Sequence, residues 1–150
     1  MTETSTRTEP IVLSAAQQAE IARHGEATFP DECCGAMLGR VEGGRRVVTR
    51  LLEIENQWDE GERRRRFLIA PQDYLRINRE ADRAGQALIG FYHSHPNAPA
   101  RPSEFDREHA LPWHTYVIAS IVEGRYDVMT AWQLQDDRSG YDEVAVMGNG

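Results

Sequence analysis

Apolar residues recur with helical spacing in one segment of the chain, and a second segment has the residues that typically start and stop a helix. The first segment follows Ser14, a residue that suits a helix N-cap, and we expect its helix to end at Gly25. The second segment opens with Pro71, which is favoured in the first turn of a helix, and runs to about Ala84 before Gly85. The pattern therefore predicts one helix near the N-terminus and another in the middle of the chain.

Short apolar runs of β type fill most of the remaining chain. They predict strands at residues 34–41, 45–54, 67–70, 87–92, 116–122 and 126–134. The first two runs flank Glu42-Gly43-Gly44, which predicts a hairpin turn. The run ALIGFY at 87–92 is apolar throughout and predicts a buried central strand. Helices and strands mix without the regular alternation of a doubly wound sheet, so we expect an α/β domain.

Length and composition are those of one globular domain. The chain has 150 residues, of which 40% are hydrophobic and 27% are charged, and this is typical of a single domain with its own core. Residues 1–10 are polar and rich in threonine, so we expect a flexible N-terminal tail followed by a domain over residues 11–150. The sequence leaves the oligomeric state open.

Net charge and hydropathy argue against two classes of partner. The formal net charge is −7, which repels phosphate backbones, so we expect no nucleic-acid binding. No apolar run approaches the ~18 residues that a membrane helix needs, and the N-terminus lacks the apolar stretch of a signal peptide. We therefore expect a cytoplasmic protein that does not associate with membranes.

The segment GFYHSHPNAPARPSEFD concentrates residue types that bind metals. Side chains in a strand alternate between its two faces, so His93 and His95 project on the same side and offer two nitrogen ligands. Asp106 follows after ten intervening residues, near the start of a third helix that we expect to open at Ser103, and can supply a carboxylate ligand. Three protein ligands with one open position are typical of a catalytic zinc site.

Each half of this pattern also has a structural explanation. Two histidines on a strand can be surface residues, and Ser103-x-x-Asp106 is also the pattern of a helix N-terminal cap. A cap does not exclude a metal site, because the turn that pairs the serine with the aspartate also places both near the strand end. The whole pattern, which includes an acidic residue far upstream, favours the metal site.

That whole pattern reads Glu32, then His93-Ser94-His95-Pro96, then Ser103-Glu104-Phe105-Asp106. It resembles the signature of the JAMM metallopeptidases, also called MPN+, in which a glutamate precedes His-x-His-Pro and Ser-x-x-Asp at this spacing. The Glu-x-Cys-Gly that starts at Glu32 and the Gly90-Phe91-Tyr92 lead-in also look like bacterial members. The resemblance covers about residues 12–135.

The resemblance implies both a fold and a set of site residues. The fold is a single α/β domain with a curved, mixed β-sheet flanked by helices, similar to the cytidine deaminases. The implied roles are Zn²⁺ ligand for His93, His95 and Asp106, general base for Glu32, and hydrogen-bond donor to the reaction's oxyanion for Ser103.

The choice of general base rests on the resemblance alone. A carboxylate outside the coordination sphere is needed to take the proton of the attacking water. Glu26, Glu53 and Glu55 could also supply one, and spacing does not decide between them and Glu32.

The resemblance also implies a class of substrate. JAMM enzymes cut the bond after the C-terminal Gly-Gly of a ubiquitin-like protein, and short bacterial members of this appearance resemble peptidases that act on small sulfur carrier proteins. Such enzymes trim the carrier or release cysteine from it in cysteine biosynthesis. Two alternatives remain: a non-catalytic scaffold of the same fold, and a metallopeptidase with an unrelated target, such as a cell-wall peptide in a phage-tail context.

Two further features carry weaker interpretations. The adjacent Cys33 and Cys34 exclude an ordinary intrachain disulfide framework, and we interpret Cys34 as a small buried thiol. Cys33 could bind a metal or respond to redox conditions, but no CxxC pattern supports this. The arginine run Arg63–Arg66 is interpreted as a solvated loop.

Overall fold

The computed structural model describes residues 9–56, 69–111 and 113–148. The elements along the chain are β1 (Ile11–Val12), α1 (Ala15–Thr28), β2 (Cys34–Glu42), β3 (Arg45–Ile54), α2 (Pro71–Ala84), β4 (Ala87–Pro96), α3 (Glu104–His109), β5 (Thr115–Val122), β6 (Arg125–Leu134), β7 (Tyr141–Val144) and β8 (Val146–Met147).

Within the described residues, the eight strands form one sheet in the order β7-β6-β5-β4-β2-β3-β1-β8. The central strand β4 pairs with β5 in parallel and with β2 in antiparallel orientation, so the sheet is mixed. β2 and β3 form the expected hairpin, and Gly43 and Gly44 at its turn have positive φ angles of 60° and 75°. The mixed sheet confirms the expected α/β class.

Helices cover both faces of the sheet and divide the core in two. On one face, Ile21 of α1 belongs to a buried cluster that includes Tyr92 of β4. On the other face, Ile77 and Ala81 of α2 belong to a second cluster that includes Phe91 of β4. Consecutive residues of β4 therefore face different layers, which explains why this strand is apolar throughout.

The end of α1 differs from the expectation. The helix continues through Gly25 to Thr28, because Gly25 is not a stop but a contact point with the sheet. A Cβ atom at Gly25 would lie 2.8 Å from Cδ1 of Ile121 and 3.3 Å from Cβ of Ser94. Glycine at this position lets the helix approach β4 and β5 closely.

The second helix agrees with the expectation at both ends. α2 begins at Pro71 and ends with Gly85, whose φ of 67° is the left-handed conformation of a C-terminal glycine cap. The prediction of a strand at 67–70 is wrong for its second half, because Ile69 belongs to no strand and Ala70 is the N-cap of α2. Phe67 and Leu68 lie outside the described residues, as do Arg63–Arg66.

The packed part of the chain includes Glu9 and Pro10. Arg46 of β3 is fully buried, and its Nε donates to Oε1 of Glu9 at 3.3 Å. The backbone N–H of Arg46 donates to the carbonyl of Pro10 at 2.9 Å. These two residues thus belong with the domain and not with the expected tail; residues 1–8 lie outside the described part, so flexibility there stays a prediction. Among the described helices, none is both long and apolar enough to cross a membrane.

Candidate active site

Strand β4 carries both histidines on one face. His93 and His95 are buried, with 1% and 6% of their surface exposed. The strand was expected to end at Tyr92, but parallel pairing with β5 extends it to Pro96. Both imidazoles therefore project from regular, hydrogen-bonded backbone at the centre of the sheet, which restricts their orientation.

Helix α3 presents Asp106 to the histidines through its N-terminal cap. Oγ of Ser103 accepts from the backbone N–H of Asp106 at 3.0 Å, and the N–H of Ser103 donates to Oδ2 of Asp106 at 2.8 Å. This reciprocal capping box confirms the cap expected from the sequence. Because the carboxylate takes part in the cap, the cap also fixes its direction.

The three side chains converge on one point. Oδ2 of Asp106 lies 3.3 Å from Nε2 of His93 and 3.1 Å from Nε2 of His95, and the two Nε2 atoms are 3.2 Å apart. An ion with tetrahedral geometry and bonds of about 2.0–2.1 Å would hold its ligand atoms roughly 3.3 Å from one another. The spacing and the nitrogen and oxygen donor set fit Zn²⁺ at this point.

The tautomer of His95 strengthens this fit. Its Nδ1 lies 2.8 Å from the carbonyl oxygen of Pro99, which can only accept, so Nδ1 carries the hydrogen. Nε2 is then the ring nitrogen that can offer a lone pair to a metal, and it faces the carboxylate of Asp106. Two acceptors 3.1 Å apart repel each other unless a cation or a proton lies between them. A ligand histidine held by a carbonyl at its other nitrogen is also the usual arrangement around metals.

The charges within the group are strongly coupled. Burial alone would raise the pKa of Asp106, but His93 and His95 hold it well below its usual value. Burial lowers the pKa of His93 despite the opposing effect of Asp106. The aspartate is therefore ionised and His93 favours the neutral form, which are the protonation states that bind a metal.

Glu32 lies in the segment before β2, close enough to the group for Asp106 to affect its ionisation. It is 4% exposed, and its Oε1 has no hydrogen-bond partner within the described residues. Burial, with a smaller contribution from the negative charge of Asp106, raises the pKa of Glu32 to about 9. A buried, unpaired carboxylate needs a functional explanation.

The structure distinguishes Glu32 from the other glutamates that residue spacing could not exclude as the general base. Oε2 of Glu26 accepts from the backbone N–H of Tyr126 at 2.8 Å, on the surface. The side chain of Glu53 is 57% exposed, and Glu55 is exposed as well. Burial next to the metal-binding group thus favours Glu32.

The backbone around Glu32 is fixed by side chains from two strands. Oγ of Ser94 in β4 accepts from the buried N–H of Cys33 at 2.8 Å. Nδ2 of Asn56, just after β3, donates to the carbonyl of Glu32 at 3.1 Å. Ser94 therefore has the structural role expected from its position between the histidines. Both cysteines are buried free thiols, as expected for Cys34.

Two depressions of different chemistry adjoin this region. One is an open groove of about 480 Å³ beside Glu32, with three further acidic residues in its walls: Asp31, Glu53 and Glu55. The other is a cavity of about 170 Å³ beside His93 and Asp106, and most of its walls are aromatic or aliphatic. The sequence did not indicate the second cavity, because its aromatic residues come from positions between 74 and 141.

The comparison with known protein families agrees with the geometry. A family described as prokaryotic homologs of the JAB domain matches residues 14–135, which include all five site residues expected from the sequence. This chain belongs to the prokaryotic JAB-domain family.

Two relatives are similar to this JAB-domain protein over most of its length. A desampylase from Haloferax volcanii is 35% identical over 127 residues, which cover 83% of this chain and 86% of the relative. A tail tip assembly protein K of Escherichia phage N15 is 32% identical over 108 residues, which cover 69% of this chain but only 38% of the phage protein.

Solved structures share the fold of the JAB-domain protein over nearly its whole length. A protein from Desulfitobacterium hafniense is 29% identical with a TM-score of 0.77, covering 93% of this chain and 94% of its own. A protein from Salinibacter ruber is 35% identical with a TM-score of 0.72, covering 93% and 91%. A JAB1/MPN domain protein from Archaeoglobus fulgidus is 18% identical with a TM-score of 0.53, covering 93% and 97%, and supports the fold alone.

Proposed function

We propose that this JAB-domain protein is a zinc-dependent peptidase or isopeptidase that hydrolyses the bond after the C-terminal Gly-Gly of a ubiquitin-like protein, most specifically a small sulfur carrier protein. The observation that carries the proposal is the convergence of His93, His95 and Asp106 at 3.1–3.3 Å. A non-catalytic scaffold of this fold has no need for three ligands at metal-binding distances or for a buried, unpaired glutamate beside them.

His93, His95 and Asp106 would hold the zinc ion. When bound, zinc polarises a scissile carbonyl and makes a water molecule acidic enough to attack it near neutral pH. The chain contributes ligands that are already oriented by β4 and by the cap of α3, so little reorganisation accompanies binding.

Glu32 would act as the general base. Its carboxylate takes the proton from the attacking water and passes it to the nitrogen of the leaving amine, so that the amine departs neutral. The raised pKa of Glu32, about 9, belongs to the metal-free protein. A divalent cation nearby favours the ionised form of the carboxylate, so zinc binding would lower this pKa and prepare Glu32 to accept the proton.

Ser103 would donate a hydrogen bond to the oxyanion that forms on the scissile carbonyl. Its Oγ accepts from the N–H of Asp106 in the cap, which leaves the hydroxyl hydrogen available for donation. Ser103 is exposed at the start of α3, next to the ligand Asp106. Capping and oxyanion stabilisation are therefore compatible in one side chain.

Two observations support a ubiquitin-like substrate. The JAMM signature is complete, and the protein is 35% identical to the Haloferax desampylase over 83% of the chain. An extended Gly-Gly tail also suits a buried metal site, because glycine has no side chain to obstruct its approach. The choice of a sulfur carrier within this class rests on the resemblance to short bacterial members.

Metal analysis and intact mass spectrometry test this proposal together. The purified protein should bind about one zinc per chain and should shorten a candidate carrier by cutting directly after Gly-Gly. His95→Ala should lose most of the zinc and the activity, whereas His109→Ala, which changes a surface histidine of α3, should keep the metal. Failure of careful preparations to contain or bind any transition metal would contradict the zinc site, and rapid unselective digestion of denatured proteins would contradict the substrate.

A second candidate function follows from the phage relative. The similarity to tail tip assembly protein K over 69% of this chain favours a metallopeptidase that acts in a phage-tail context, for example on a cell-wall peptide. The same metal site would serve this reaction. Incubation with purified cell-wall peptides, with the carrier assay in parallel, separates the two candidates by which substrate is cut.

A further inference from the structure

The cavity of about 170 Å³ lies directly against the metal-binding group. His93 and Asp106 form part of its wall. Half of the ten other wall residues are phenylalanines and tyrosines, and they come from the five elements α2, β4, α3, β5 and β7: Tyr74, Phe91, Phe105, Tyr116 and Tyr141. None of these aromatic residues has a role in the proposed chemistry, so the cavity calls for its own explanation.

The aromatic walls are held in place by mutual packing. The ring of Phe91 packs edge-on against Tyr74 with centroids 5.7 Å apart, and it stacks on Tyr116 at 6.0 Å. The hydroxyl of Tyr116 accepts from the N–H of Leu111 at 2.8 Å, which fixes the far side of that ring. Such contacts favour a cavity that exists before a ligand arrives.

The size and chemistry of the cavity select its occupant. An apolar cavity of about 150 Å³ in another protein stays dry and binds benzene. A cavity of about 170 Å³ with aromatic and aliphatic walls can therefore hold a phenyl ring or a branched aliphatic side chain. The apolar walls disfavour an acidic side chain, because a carboxylate buried among them would lose its hydration.

The position of the cavity shows which part of a substrate would enter it. A group in contact with both His93 and Asp106 lies next to the scissile bond. On the acyl side of that bond the proposed substrate has two glycines, which have no side chains. The occupant must then belong to the residue on the amine side. A lysine joined through its ε-nitrogen would place only a thin methylene chain there and leave most of the cavity empty.

We propose that this cavity binds a bulky apolar side chain, aromatic or branched aliphatic, of the residue that follows Gly-Gly in the substrate. The inference rests on the proposed function and narrows the range of its substrates. The preferred substrate is a ubiquitin-like precursor extended through its ordinary peptide chain, and a conjugate joined through a lysine side chain is a poorer one.

Cleavage rates test this preference directly. A ubiquitin-fold sulfur carrier protein is extended after its Gly-Gly by Phe, Leu or Asp, or is joined to free lysine through the ε-nitrogen, and the zinc-loaded protein is assayed by intact mass. We expect kcat/KM for Phe and Leu to exceed that for Asp and for ε-linked lysine by about tenfold or more, as burial of a large apolar side chain implies. Equal rates for all four would overturn the inference and leave the proposed function intact.

A binding measurement decides the inference even without turnover. The tripeptide amides Gly-Gly-Phe and Gly-Gly-Asp are titrated into zinc-loaded Glu32→Gln protein and followed by calorimetry. The Phe peptide should bind about tenfold more tightly or better. If no carrier is cut but this preference appears, the proposed function fails, and the affinity of the cavity for a bulky apolar side chain after Gly-Gly stands. Equal affinity of the two peptides contradicts the assignment.

Two tyrosines of nearly equal exposure provide a matched pair of variants. Tyr74 lines the cavity and is 36% exposed, and Tyr126 lies on β6 and is 37% exposed. Tyr74→Ala should remove most of the preference for Phe over Asp, while Tyr126→Ala should leave it unchanged. Ala110→Leu, which adds bulk inside the cavity, should weaken binding of the Phe peptide more than that of the Asp peptide. An unchanged preference in both cavity variants, with the fold intact, would overturn the assignment.

Discussion

At the residue scale, Glu32 has the most unusual environment in the site. A glutamate that is 4% exposed, with a pKa raised to about 9 by burial and by the charge of Asp106, holds its proton at neutral pH in the metal-free protein. This arrangement destabilises the folded chain when Glu32 ionises. Such a cost is explained if the Glu32 carboxylate functions when zinc and substrate are bound beside it.

Glu32 should therefore affect folding stability in a pH-dependent way. The unfolded chain ionises near pH 4.5 and the folded chain near 9, so the folded form binds more protons between these values and stability falls as pH rises through that window. Metal-free Glu32→Gln should be more stable than wild type by about 3 kcal/mol at pH 7 and equal to it near pH 4. Urea unfolding with a chelator measures this. A pH-independent difference would contradict the prediction.

With zinc present, the same substitution should act on the reaction. Glutamine keeps the shape of Glu32 but cannot take a proton, and a positioned base typically contributes ~10²–10⁴-fold. We expect Glu32→Gln to bind zinc normally and to lose turnover by that factor, with little change in substrate affinity. Steady-state kinetics and metal analysis on one preparation test this. Turnover close to wild type with zinc bound would exclude Glu32 as the base.

At the element scale, a helix cap and a metal ligand share the same residues. α3 has six residues, and its capping box orients the carboxylate of Asp106 towards the histidines. α1 begins with a second capping box, between Ser14 and Gln17, which has no contact with the metal-binding group. Comparison of these two capping boxes therefore separates the contribution of a capping serine to helix stability from its contribution to the reaction.

Ser103→Ala should lose both contributions. Loss of the cap costs about 1 kcal/mol, and loss of the oxyanion donor should lower turnover on the order of a hundredfold or more with zinc retained. Ser14→Ala should show a similar loss of stability with normal turnover, and Ser103→Thr should recover both properties in part. Thermal unfolding and rate measurements on the three variants decide the matter. Normal turnover in Ser103→Ala would show that Ser103 acts only as a helix cap and not in the reaction.

Strand β4 depends on a glycine where it meets β5. A Cβ atom at Gly90 would lie 1.8 Å from the carbonyl oxygen of Thr115, a backbone atom that cannot move without disturbing the pairing. Gly90→Ala should destabilise the fold by about 3 kcal/mol and weaken zinc binding, because the same pairing orients the histidines. Gly140→Ala, whose nearest neighbour is 3.9 Å away, is the control and should be nearly neutral. Denaturant unfolding of both variants provides the comparison.

At the scale of the whole molecule, a buried arginine joins three separate parts of the chain. The guanidinium of Arg46 in β3 pairs with Glu9, lies 4.1 Å from the ring centroid of Trp113, and donates to Oγ1 of Thr115 at 3.0 Å. The segment before β1 is thereby connected to the loop that leads into β5. The boundary of the folded unit consequently includes Glu9.

Shortening the N-terminus tests this boundary. Removal of residues 1–8 should leave stability nearly unchanged. Removal of residues 1–10 takes Glu9 from the buried Arg46 and should cost on the order of 3 kcal/mol, because the buried guanidinium loses its ion pair with Glu9. Equal stability of the two shortened chains would show that Arg46 does not depend on Glu9.

Features that depend on neighbouring residues could be predicted from the sequence. The two-residue spacing of His93 and His95 places them on one face of any strand, and Ser103 and Asp106 form a cap whatever surrounds them. The ends of α2 follow from Pro71 and Gly85 for the same reason, since the conformational preferences of proline and glycine are local. Family resemblance added Glu32, which no local pattern indicated.

Tertiary structure decided the features that depend on residues far apart in the chain. α1 passes through Gly25 because Ile121 and Ser94 leave no room for a side chain there, a contact between positions that no periodicity connects. Glu32 differs from Glu26, Glu53 and Glu55 through burial next to the metal-binding group, which the folded chain alone creates. The aromatic cavity likewise exists only where the sheet brings together residues between 69 and 141, so it could be found only in the folded protein.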